Sequence, residues 1–328
     1  MALDSYTIVR PGQANGSGAV DALHIEEFTG LVQGTLNRLS VCAPRIPVKS
    51  VRGTSTLTNF GVGQSTIQAI VPGTIPDGTA TKFGKASMHI DTTILARDVL
   101  PLLETFQTEY DARAEIAGEH GKALAKQFDQ SFFIQATKAG LLTANRFGLT
   151  AAGHTGGSQV TLSSGSDNTD PALLYQGLVD LLTQMRLKDV DPVMDGVVIA
   201  VSPTDMATLT MNELLINSNY VTSEGTNIPG FQLKAQGAWV VQSNNFVGGQ
   251  NISGHLLSNA NNGNAYDGDF TKVVATAFAP KALMAGETIA LQSKVFFDDI
   301  SKNWFVDAWR AYGVAPSIAA FAGVLVKP

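Results

Sequence analysis

Between residues 108 and 140, Ile116, His120, Leu124, Phe128, Phe132 and Ala136 recur at every fourth position. That spacing places the side chains on one slowly winding stripe of an α-helix. Thr108 followed by Asp111 supplies a capping hydroxyl and a carboxylate at the positive helix end. About thirty residues at ~1.5 Å rise make a rod of roughly 45 Å, well beyond an average globular helix. The segment is predicted to be a structural beam, although Gly118 and Gly121 inside it each cost about 1 kcal/mol relative to Ala. An extended run, 87–96, precedes it.

The rest of the chain divides by period. Residues 1–20, with Pro11-Gly12 and Asn15-Gly16-Ser17-Gly18, read as an arm without its own core. Leu23, Phe28, Leu31, Val32 and Leu36 predict a short amphipathic helix over 22–39, ending before Pro44 and Pro47. From 48 to 94 the pattern turns to β-type runs, over 51–60, 66–71 and 85–94. Pro76-Asp77-Gly78 is the turn signal among them, because proline presets φ and glycine accepts φ > 0. Two long strands around a polar, Thr-rich turn, with few large apolar residues, cannot build a core alone. They need a partner surface, and another copy of the chain could supply it.

After the beam, 145–168 is rich in Gly, Ser and Thr and is predicted as loop with a short hairpin near 160–162. Asp170-Pro171 then opens a helix as N-cap and first-turn proline, with Leu174, Leu178, Leu181, Leu182 and Met185 on its apolar face. Residues 196–201 (GVVIAV) read as a buried strand, followed by Ser202-Pro203-Thr204-Asp205 capping a further helix to 212. Helix, buried strand, helix is the pattern of an α/β layer, to which 238–242 adds a strand. Residues 244–269 are predicted as an exposed loop. Strands over 286–297 and 304–313, joined by a turn at 298–302, and an apolar strand over 319–326 complete the chain.

Composition narrows what such a chain can do. Of 328 residues, 44% are hydrophobic, enough for a sizeable core and two domains. Only 15% are charged, so much of the surface is neutral and resists self-association poorly. The net charge of -6 argues against sequence-independent phosphate binding. A lone Cys42 excludes an intrachain disulfide framework and is expected to be a buried structural thiol. No apolar run reaches membrane-spanning length and the N-terminus lacks a signal-peptide pattern. The expectation is a soluble protein of a reducing compartment.

Candidate chemistry fails test by test. In 78–86, five residues rather than four separate the glycine from Gly84-Lys85, and Ala86 replaces the magnesium-binding hydroxyl of a phosphate loop. Asp189, Asp191 and Asp195 suggest a calcium loop, but Val193 stands at a required ligand position, and an Asp-rich turn explains them better. The 261–269 loop offers oxygens but no bidentate Glu. Histidines 24, 89, 120, 154 and 255 have no zinc-binding spacing, and His120 is expected to be packed. Trp239, Trp304 and Trp309 are read as core or interface aromatics. Arg45, Lys49 and Arg52 lack the interleaved aromatics of a nucleic-acid groove. The sequence yields no catalytic residue, cofactor site or metal site, and reads as a non-enzyme. An α/β-hydrolase-type enzyme is disfavoured because no nucleophile motif accompanies the strand at 196–201.

The order of parts resembles that of tailed-phage major capsid proteins with the Hong Kong 97 fold, most of all the coat proteins of short-tailed phages of the T-seven kind. Ile90-Asp91, Ala96, Asp98-Val99 and Tyr110-Asp111-Ala112-Arg113-Ala114-Glu115 carry the likeness. Residues 55–60 with Gly63, 69–73 and 198–205 extend it. Gly61 stands where relatives often carry Pro. The resemblance implies an α+β fold with an N-terminal arm at 1–50 and an extended β-hairpin loop at 51–91 lying over a neighbouring subunit. It further implies a peripheral domain at 92–169 and 281–318, carrying the spine helix 108–140, and an α/β axial domain at 170–280 and 319–328. Phe60, Pro76, Asp77, Gly78, Arg113 and Glu115 become candidate subunit-interface residues. Hexamers and pentamers would close an icosahedral shell around double-stranded DNA, with a scaffolding protein and a portal as partners and no membrane. Assembly in a bacterial host cytoplasm would place the product in the virion. An encapsulin-like compartment packaging cargo enzymes shares the implied fold and stands as the alternative.

Overall fold

The computed structural model describes residues 40–328 except 64, 66, 71, 74, 76, 77, 79, 102–111, 150–153 and 213–232, with backbone only at 101 and 112–114. The arm, the helix at 22–39, the Thr108–Asp111 cap and the Pro76-Asp77 part of the turn signal lie outside the described residues. The chain forms two compact units. One contains Thr93–Lys126 and Ile289–Ala311; the other contains Val41–Thr92, Gln127–Thr288 and Tyr312–Pro328.

The larger unit is built on a six-stranded sheet. Its strands are β5 (Ser158–Thr161), β6 (Val198–Val201), β7 (Leu233–Ala235), β8 (Ala238–Gln242), β11 (Val273–Phe278) and β14 (Ala322–Val326), in the order β5-β14-β11-β6-β8-β7. The central strands β6, β11 and β14 are buried at every residue, as expected where both faces of a sheet are covered. Helix α2 (Pro171–Arg186) covers one face with Leu174, Leu178, Leu181, Leu182 and Met185, all fully buried, and α3 (Pro203–Thr210) adds Met206 and Leu209 to the same core. Both helices begin as their sequences predict. Asp170 accepts from the Ala172 and Leu173 amides, and Ser202 accepts from the Asp205 amide.

Helix α1 (Ala112–Leu141) runs unbroken through Gly118 and Gly121. From Gln127 onward it covers the other face of the six-stranded sheet. Phe133 meets Phe278 edge-on at 6.3 Å, and the Thr137 hydroxyl bonds that of Thr276 at 2.9 Å. Here the stripe expectation needs correction, because residues 131–137 are buried on every side. The segment 244–269, expected as an exposed loop, is the reason. It buries Phe246, Val247, Leu257 and Tyr266 and contains two short paired strands, β9 (Asn251–Ile252) and β10 (Gly268–Asp269). Gln135 and Lys138 both donate to the Ala265 carbonyl, and Phe133 also packs on Phe246. Asp129, buried on α1, accepts from the Val41 and Cys42 amides. Cys42 is fully buried, as expected, and burial pushes its thiol well up from its ordinary pKa.

Two other readings change. Residues 158–161 form no local hairpin but pair parallel with β14, because covering the sheet edge satisfies more backbone than a two-stranded turn. The run 87–96 is not one strand. It splits into the end of β3 (Phe83–His89) and the start of β4 (Ile94–Pro101), which belong to different sheets. A second, four-stranded sheet has the order β1-β12-β13-β4, with β1 (Val48–Ser50), β12 (Leu283–Asp298) and β13 (Asn303–Pro316). The turn expected at 298–302 joins its two longest strands.

Candidate assembly surface

In the larger unit, β2 (Thr56–Val62) and β3 form a two-stranded hairpin with Leu57 opposite Met88, Asn59 opposite Ala86, Phe60 opposite Lys85, Gly61 opposite Gly84 and Val62 opposite Phe83. Because side chains alternate across a strand, the hairpin has two unlike faces. The inner one, with Gly61, Ala86 and Met88 buried, lies on its own unit: Asn59 bonds the Ser317 hydroxyl, and Gly286 approaches Leu57 and Met88 closely. On this face the partner surface that the hairpin needs comes from its own unit rather than from another copy of the chain. The outer face carries Phe60 (72% exposed), Val62 and Phe83 (74% exposed). The 63–82 connection adds Ile67 (99%), Ile70 and Ile75 (95%) to the exposed side chains.

The two faces separate the expected interface residues. Phe60 sits in the outer apolar row, and Gly78 is exposed in the connection, with open space among the described residues where a Cβ would stand. Pro76 and Asp77 lie outside the described residues. Arg113 and Glu115 belong to the first turns of α1, in the other unit, and Glu115 is exposed. Val62, Phe83, Ile67, Ile70 and Ile75 were missed, because the Thr-rich composition suggested a polar hairpin. Their signal was present: five large apolar residues in a segment with no pattern to bury them.

In the smaller unit, the paired stretch of β4 and β13 also has two unlike faces. β4 and β13 pair with Val99 opposite Phe305, Arg97 opposite Asp307 and Leu95 opposite Trp309. The intervening positions face α1: Asp98 Oδ2 meets His120 Nε2 at 2.9 Å, and His120 is buried as expected. The opposite face leaves Leu95 and Val99 about half exposed. Arg97 clamps Asp307 through two hydrogen bonds of 2.7 and 2.6 Å and lies over Phe305, which stacks on Phe296 at 5.2 Å. A flat face of aliphatic and aromatic groups around one neutralised ion pair is suited to protein contact.

The tested chemical motifs resolve into structural roles. Asp191 accepts from the Val193 and Met194 amides, which hold its carboxyl below the usual range, and Asp195 pairs with Lys281 at 2.9 Å. His255 stacks on Tyr266, accepts from the Leu257 amide and contacts the Gln127 amide group. Burial pushes the Tyr266 hydroxyl up to about 12, and it both donates to the Val314 carbonyl and accepts from the Val314 amide. A groove of about 670 Å³ lies between α3 and β8, lined by Arg45, Met206, Trp239 and Val240 among others. Among the described residues, no three His, Cys, Asp or Glu side chains gather as a metal site would require, and no helix is long and apolar enough to cross a membrane.

No protein-family model matches the chain, and no curated protein matches it in sequence. Solved structures do. A chain of the cyanophage P-SCSP1u capsid is 21% identical, with 86% of each chain covered and a TM-score of 0.73. A chain of the bacteriophage PhiM1 mature capsid is 20% identical, covering 85% of this chain and 84% of that one, with a TM-score of 0.68. A virus-like particle from Pyrococcus furiosus is 13% identical, covering 92% of this chain and 99% of that one, with a TM-score of 0.56. The α+β fold of this chain is that of tailed-phage capsid proteins.

Proposed function

We propose that the chain is the major capsid protein of a tailed bacteriophage, assembling as hexamers and pentamers into an icosahedral shell that encloses double-stranded DNA. One observation carries the reading: a hairpin that is anchored on its inner face turns Phe60, Val62 and Phe83 outward, on the fold of phage capsid proteins. Burying each large apolar side chain is worth about 1.5–3 kcal/mol, and a neighbouring copy supplies the cover. The extended loop is 51–91, the peripheral domain 92–169 and 281–318, and the axial domain 170–280 and 319–328, after an arm at 1–50. Phe60, Pro76, Asp77 and Gly78 act at the loop contact, and Arg113 and Glu115 at the start of the spine helix. A net charge of -6 suits a container that holds DNA without gripping it. A scaffolding protein and a portal are the expected partners, with assembly in the host cytoplasm.

The test removes residues 74–79 and bridges the gap with two glycines. Thermal unfolding of the dissociated subunit should be nearly unchanged, since exposed loop tips tolerate deletion, while micrographs of the assembly reaction should show few or no shells. Normal shells from an equally stable subunit would refute the interface role. An unfolded subunit would place the loop in its own core. The fold is shared with a virus-like particle from Pyrococcus furiosus, so a second reading stands beside the first: an encapsulin-like shell packaging enzymes. Shells purified from the expressing cell distinguish the two by carrying nucleic acid or cargo protein.

A further inference from the structure

Besides the contacts of Asn59, Leu57 and Met88, the inner face of the hairpin is met by a single ring. Gly61 and Gly84 are directly opposite each other on β2 and β3, and both omit a side chain on the inner face where the 142–149 loop crosses. A Cβ at Gly61 would stand 2.8 Å from Cγ of the Phe147 ring, and one at Gly84 would stand 2.1 Å from the Phe147 carbonyl oxygen. Both distances are shorter than real contacts allow, so the paired glycines form a notch shaped to Phe147. The ring is buried there and meets His154 edge-on at 5.5 Å.

The loop that presents Phe147 is itself braced. Asn145 accepts from the Phe147 and Leu149 amides and donates to the Leu149 and His154 carbonyls. Arg146 donates to the Pro316 carbonyl and to the Ser87 carbonyl of β3. The braced loop therefore grips the hairpin by backbone at Ser87 and by ring at the glycine pair. One residue further out, Val62 and Phe83 are exposed.

We infer that Phe147 seated on the Gly61–Gly84 pair is a latch that sets the direction in which the β2–β3 hairpin projects, so that the two strands change direction only when the ring leaves its notch. The latch follows from these contacts alone. Its consequence for shells rests on the assembly reading, and the two are measured separately.

Hydrogen exchange on the full-length dissociated subunit tests the latch. Phe147→Ala should speed exchange of the β2 and β3 amides at least tenfold while α2 exchanges as before. Gly61→Ala should do the same, because its methyl group displaces the ring, and adding Phe147→Ala to it should cause no further rise. Gly84→Ala should loosen the hairpin whether or not the ring is present, since its clash is with backbone. Unchanged hairpin exchange in Gly61→Ala, or α2 accelerating together with the hairpin, would overturn the latch. Shell yield for the same variants then tests the consequence: slow-exchanging variants that assemble and fast-exchanging ones that do not would support it. A loosened hairpin that still builds normal shells would leave the latch standing and sink its link to assembly.

Discussion

Strand β11 and the β2–β3 hairpin are both rich in β-forming residues, yet they end in opposite conditions. β11 lies between α1 and α2 with all six residues buried, and each apolar group is covered by its own chain. The hairpin is covered on one face only, and its outer row of Phe60, Val62 and Phe83 is as exposed as a loop. An apolar residue inside a closed layer contributes to the stability of the subunit. The same residue on an open hairpin contributes nothing until a second surface arrives. On the proposed reading, stability and assembly are written into different strands of one unit.

That division can be broken at its strongest point first. Phe128 is 1% exposed and packs on Phe132 and Tyr312, so Phe128→Asp should cost several kcal/mol, comparable with the whole stability of a domain. No soluble folded subunit should be recovered, and normal shells at normal yield would mean the α1 face is misassigned. Asp170→Ala removes the N-cap of α2 and should lower subunit stability by about 1 kcal/mol, read from denaturant midpoints; an unchanged midpoint would show that the core alone sets the helix start.

Acid should produce a smaller loss, localised to the 244–269 segment. Burial lowers the pKa of His255, with Asp267 opposing. The folded state then binds fewer protons than the unfolded chain, whose histidine titrates near 6.5. The stabilising contribution is therefore full above about pH 6.5 and is lost as pH falls through the folded value. The Ser258 hydroxyl and the His255 and Gly254 amides hold Asp267 below the usual carboxylate range, so its own contribution fails only at stronger acid. Melting temperature compared between pH 7.5 and 5, in the native protein and in His255→Gln, isolates the effect: the variant should show a shallower decline. The smallest change in subunit stability belongs to the hairpin. Val62→Asp with Phe83→Asp should leave unfolding within about 0.5 kcal/mol, as for exposed positions generally, while shell formation fails. A large loss of stability would erase the contrast with β11.

The periodic, locally punctuated parts of the molecule were legible in the amino-acid order. The α2 face, the caps at Asp170 and Ser202, the buried 198–201 strand, the 298–302 turn and the length of α1 all follow from spacing and from residues that satisfy a helix end. The burial of His120 followed from the same stripe. What tertiary structure alone decided is which surface covers each element. Residues 131–137 are enclosed because the 244–269 segment returns over α1, a contact between positions more than a hundred residues apart. Residues 158–161 became a sheet edge rather than a hairpin because β14, from the far end of the chain, offered its backbone. The 87–96 run divided because its two halves found partners in different sheets, and a β-pattern does not name its partner. Phe60 was legible as an interface candidate from resemblance, but not the outward row it belongs to. That row depends on strand register, which a β-pattern alone does not fix, and the close fit of Gly61 and Gly84 to Phe147 is visible only where the 142–149 loop arrives from outside the hairpin.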